Sequence, residues 1–221
     1  MGTTTLSKPE RASRLHDGGG QGGGGFAGFG GGDSGEVRPW QVPERTYRLA
    51  MWMALVAIVM LFASFTSALV VRQGLSDDWV SLALPRILWL NTAVLLVSSG
   101  TLELGRRALI RRMGGSFTVW LYVTTGLGLL FLAGQLAAWR ELAARGVYLA
   151  TNPSSSFFYL LTAAHGLHLA GGVIAFFYLL IRARAIAGGR QRRTAVDVTA
   201  IYWHFMGALW IYILFLLTTR F

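Results

Sequence analysis

Cysteine is absent from the 221 residues, and charged side chains make up only 14% of them. The first absence excludes disulfides, thiolate zinc and copper centres, iron–sulfur clusters, covalent haem attachment and a cysteine nucleophile. The second excludes an ordinary water-soluble domain, in which about 25% of residues are charged. Acid is the scarcer sign: 10 Asp and Glu stand against 20 Lys and Arg, for a formal charge of +10. In a soluble chain this excess would point to nucleic acid. In one that is 53% hydrophobic it reads as membrane topology.

What is present falls into two textures. Residues 1–45 include GGGQGGGGFAGFGGGDSG, and glycine-rich sequence cannot bury enough apolar area to offset its backbone entropy. This segment reads as a disordered, cytoplasmic tail, in which Phe26 and Phe29 are the only aromatic interruptions of the glycine run. It is not expected to be a secretory signal, because no apolar core and cleavage site follow its early basic residues. Residues 46–221 form the second texture, long uncharged runs joined by short Arg-bearing connections. A hydrocarbon core takes about 20 helical residues to cross. The runs predict spans at about 49–71, 87–105, 117–138, 156–181 and 198–219, the second able to extend outward over Pro85 and Arg86. TNPSSS, at 151–156, is a helix-starting signal ahead of the fourth. The expected fold is therefore all-α, a polytopic membrane protein of five transmembrane helices.

An odd number of spans puts the termini on opposite sides, and the basic residues choose between the two orientations. With the N-terminus inside, fifteen Lys and Arg are inside and five (Arg72, Arg86, Arg140, Arg145, Arg220) outside. The positive-inside rule thus favours N-in, C-out, in a cytoplasmic membrane. The +10 is mostly a record of sidedness, and no nucleic-acid partner is expected.

The informative residues are those that lipid would reject. His165 and His168 stand three apart on the fourth span, and His204 lies on the fifth. Two His on one side of one helix cannot be opposite axial ligands of one haem. A haem b held by His168 and His204 is one reading; neutral His hydrogen-bonded between helices is the simpler one. Glu103 is spaced for an interfacial ion pair with Arg106 and Arg107. Asp197 precedes the fifth span, where a helix N-terminus favours negative charge. Asn91, Thr92, Gln135 and Thr162 are candidates for interhelical hydrogen bonds. Small residues let helices approach closely: Gly166 with Ala170 and Gly171 with Ala175 on the fourth span, Ser98, Ser99 and Gly100 on the second, Gly126 and Gly128 on the third. The two pairs on the fourth span make it the expected centre of the bundle.

Two stretches, FFYLLTAAHGLHLAGG (157–172) and AIYWHFMGALWIYILFLL (200–217), closely resemble the last two helices of subunit III of haem–copper oxidases. LNTAVLLVSSGTLELGRRA (90–108) is similar to an earlier helix of that family, and GLLFLAGQLAAWRELAARGVYLATNPSSSFFYLLT (128–162) to its next helix and loop. The resemblance runs over about residues 48–219 and fits the five-helix form. It implies an accessory subunit with no catalytic centre, no cofactor-binding residue and no metal ligand of its own. Haem and copper would belong to partner subunits, and the partners would be oxidase subunits I and II with membrane lipids, including phospholipid held in a cleft. It further implies support of the catalytic subunit and of its proton uptake during aerobic respiration in a bacterial inner membrane. His165, Gly166, His168, Trp203 and His204 match family motif positions that are structural and hydrogen-bonding there. The chain departs from the family in two places. The first span lacks the usual carboxylate, and the Asp expected after WHF is replaced by Met206 and Gly207. A cytochrome c oxidase, a quinol oxidase and a nitric oxide reductase are all complexes that such a divergent branch could serve.

Overall fold

A backbone crossing lipid has no water to bond to, so each uncharged run must satisfy its own peptide groups as a helix. The computed structural model describes residues 44–75, 79, 84–111, 113–185 and 190–220. Nearly all of the glycine-rich segment expected to be a tail lies outside them. The elements are α1 (Glu44–Leu75), α2 (Ile87–Ile110), α3 (Gly114–Ala144), α4 (Pro153–Ala185) and α5 (Arg190–Arg220), with no strand among the described residues. All five are long and apolar enough to cross a membrane. They outrun the uncharged cores that predicted them, since polar residues continue a helix beyond the hydrocarbon. Pro85 and Arg86 do not extend α2; the Pro85 carbonyl accepts from Leu88 N–H in the turn that enters it.

The ends that are sharp have identifiable causes. At the end of α3, Gly146 takes φ +79°, open to glycine at no steric cost. Its N–H bonds the Ala143 carbonyl, and Val147 N–H bonds Leu142, the paired closure of a Schellman motif. At the start of α4, Pro153 supplies a preset φ where its missing N–H costs nothing. Ser155 Oγ accepts the Asn152 N–H at 3.1 Å, half of a capping box.

Sequential helices α2 to α5 pack as antiparallel neighbours, and α2 also meets α5, so these four close a ring. α1 lies outside it on the α4/α5 seam, and among the described residues it packs against neither α2 nor α3. It runs parallel to α5. Thr66 Oγ1 and Tyr212 Oη are 2.9 Å apart, and farther along Gln73 Nε2 and Trp79 Nε1 both donate to the Arg220 carbonyl. Those two donors satisfy a carbonyl that has no partner within α5. α5 is the most enclosed helix, with 56% of its most apolar stretch buried against 39% for α4. The expected centre thus moves by one helix, because α5 carries the two large indoles, Trp203 and Trp210, around which the ring is packed.

Candidate functional site

Trp203 is fully buried, and all four helices of the ring meet on its indole. Its Nε1 donates to Ser98 Oγ on α2 at 3.1 Å, and Ser98 donates to the Thr124 carbonyl on α3. The ring lies over two glycines: a Cβ at Gly128 would come 2.8 Å from Trp203 Cη2, and one at Gly172 3.0 Å from Cε3. Phe176, one turn beyond Gly172, contacts the indole at a centroid distance of 4.7 Å. The indole thus reaches α3 and α4 at positions where each presents no side chain.

Two other indoles use the same device. Trp210 Nε1 donates to Thr92 Oγ1 at 2.9 Å, and Thr92 donates to the Leu88 carbonyl of its own helix. Trp139 Nε1 donates to Thr162 Oγ1 at 3.1 Å, and Thr162 donates to Phe158. In each case a helical Thr satisfies its own O–H four residues back and keeps a lone pair for an indole from another helix. Thr92 and Thr162 were legible from their polarity in an apolar span. Trp139 and Trp210 were not singled out, although a buried indole N–H always needs an acceptor and that requirement could have found them.

The three membrane histidines diverge. His165 is fully buried, its ring 5.0 Å from Trp210 and 5.9 Å from Phe131. His168 is half-buried on the α1 side, 6.0 Å from Phe62, with Nδ1 2.7 Å from the Ala164 carbonyl. His204 is exposed. Tyr202 Oη donates to the His168 carbonyl at 2.7 Å. Two residues turn a helix by about 200°, so His204 leaves α5 on the face away from His168. The pair proposed for haem b is not brought together. Among the described residues no three His, Cys, Asp or Glu gather in a way that could hold a metal ion.

At the other end of the ring, Glu103 lies 3.3 Å from Arg106 and 3.2 Å from Arg107, and Arg106 lies 3.9 Å from Asp197 at the start of α5. All four are partly exposed, so this network ties α2 to α5 weakly. A Cβ at Gly166 would meet nothing within 4 Å, and one at Gly171 would come no closer to a neighbour than 3.9 Å. Gly172 is the closely packed position on α4. Where the family's Asp is replaced, Met206 is buried, and a Cβ at Gly207 would lie 3.5 Å from Ser99 Oγ.

The centre of the ring is thus a set of aromatic and uncharged polar groups in which three indoles are bonded across helices, built largely from the two stretches that carry the family resemblance. Comparison with known proteins agrees with it. Residues 44–219, from the start of α1 nearly to the end of α5, match the family model described as cytochrome c oxidase subunit III. The chain is 33% identical over 162 residues to a probable cytochrome c oxidase subunit 3 of Nocardia farcinica, covering 69% of this chain and 77% of that one. It is 30% identical over 182 residues to the cytochrome c oxidase subunit 3 of Thermostichus vulcanus, covering 78% and 88%. A Mycobacterium tuberculosis protein named probable cytochrome c oxidase subunit 3 is 38% identical over 120 residues, 54% of this chain and 59% of its own length. With a family-model match that runs over all five helices, this chain belongs to the cytochrome c oxidase subunit III family, as a multi-pass membrane subunit of a respiratory oxidase.

Proposed function

We propose that the chain is the accessory, non-redox subunit III of a bacterial haem–copper terminal oxidase of the cytochrome c type. It is seated in the cytoplasmic membrane against subunit I, with subunit II in the same complex. The observation that carries this reading is how the signature residues are used. Trp203 and its two glycines, Trp210 with Thr92, and His165 with Phe131 are spent on holding four helices together. That is the chemistry of a rigid membrane block, whose contribution to a complex is shape and apolar surface. The names of the relatives support membership of the oxidase.

On this reading, dioxygen reduction and the haem and copper belong to the partner subunits. The block seals one flank of the catalytic subunit against lipid and water, binds phospholipid on its apolar faces, and so sustains proton uptake through many turnovers. Deletion of the chain tests it. The assembled remainder should keep its haem spectrum and its initial rate, while activity decays during turnover. Full and lasting activity without this chain would overturn the proposal.

A further inference from the structure

Among the described residues, five of the buried polar atoms that lack a protein partner belong to three side chains, Asn91 on α2, Gln135 on α3 and His165 on α4. On α3, Phe131, Gln135 and Trp139 are spaced by four and share a face. Phe131 contacts His165 of α4, and Trp139 bonds Thr162, three residues before His165. Gln135, midway between them, faces the same stretch of α4. From α2, the Asn91 amide lies against the backbone of Gly134, so close that a Cβ there would overlap it. From α5, the Trp210 ring lies beside His165 and is held by Thr92, the neighbour of Asn91.

Asn91, Gln135 and His165 are 3%, 3% and 0% exposed. Asn91 Nδ2, Gln135 Oε1 and Nε2, and His165 Nδ1 and Nε2 have no hydrogen-bond partner in the protein. Native interiors almost never leave so many polar atoms unpaired in one place, least of all inside a membrane, where no bulk water reaches them. The atoms also define what would satisfy them. They are a neutral mixture of amide N–H, amide oxygen and imidazole nitrogens, with no carboxylate or thiolate to attract a cation. A ligand must both donate and accept hydrogen bonds. We propose that ordered water occupies the space between Asn91, Gln135 and His165, bridging α2, α3 and α4 at the centre of the subunit.

The test has two arms, both on the full chain. A density map of the purified oxidase, at a resolution that shows ordered water, should contain an isolated peak within hydrogen-bond distance of at least two of these side chains. No peak, or the Gln135 amide bonded directly to the His165 ring, overturns the proposal, as does density too large for water. The second arm is the thermal midpoint of the detergent-solubilised Gln135→Leu variant. If water is bound, Leu removes its ligands and strands His165, and the midpoint falls by about 5 °C. If the site is dry, Leu removes two unpaired atoms and the midpoint is unchanged or higher, which also overturns it.

Discussion

Trp203 sets what its neighbours can be. Its ring occupies the space where a side chain at position 128 or 172 would stand. Gly128→Ala should therefore destabilise the subunit by about 1–3 kcal/mol, the usual cost of overpacking a well-packed core. Gly166→Ala, facing open space, should stay within about 0.5 kcal/mol. Unfolding of the two variants in mixed detergent micelles compares them directly, and equal losses would deny the glycines their different roles. This contrast was only half legible in the sequence. Small residues in an apolar span announce close approach, but not on which face. Gly126 and Gly128 are two apart, about 200° around the helix, and only Gly128 meets a neighbour. On α4, both predicted small pairs miss the packed position by a residue or more. The hydrogen bond beneath the ring has its own measurement, a double-mutant cycle of Trp203→Phe with Ser98→Ala. Its coupling energy should be about 0.6–1.7 kcal/mol, as membrane hydrogen bonds give; a value of zero would leave packing as the whole contribution of the indole.

For the elements, existence was legible and placement was not. An uncharged run longer than the hydrocarbon is thick is a direct physical signal, and all five runs became helices. Where the signal was charge, it marked the edge of the lipid rather than the end of the helix, so α1 begins at Glu44 rather than at 49 and α5 at Arg190 rather than at 198. Ends set by backbone chemistry are sharper. Gly146 closes α3 with a left-handed residue, which costs roughly 1–2 kcal/mol for a residue bearing a Cβ. Gly146→Ala should lower stability by about that amount, although nothing lies within 4 Å of the added methyl. Gly115→Ala, equally uncrowded but in the first turn of α3, should not, and the same unfolding assay distinguishes the two. Which helix stands at the centre was beyond a search for small residues. The centre is set by the largest side chains and by what they can bond to, and that depends on partners far away in the chain.

The whole molecule has a direction across the membrane. Fifteen basic residues against five is an argument from sequence, and the fold makes it testable. The ring is built of antiparallel neighbours, so the α2–α3 and α3–α4 connections lie at opposite ends of α3. Met113 in the first and Leu149 in the second are both exposed, 54% and 58%. Because the chain has no cysteine, Met113→Cys and Leu149→Cys each place a single thiol in a background that cannot react. A membrane-impermeant maleimide added to intact cells should label Leu149→Cys and leave Met113→Cys untouched, and permeabilised cells should allow labelling of both. The reverse pattern would place the arginine-rich end outside. It would also remove the expectation that the α5 terminus at Arg220, capped by Gln73 and Trp79, faces away from the cytoplasm. The absence of cysteine, first a list of excluded chemistries, thus becomes the property that lets sidedness be read one residue at a time.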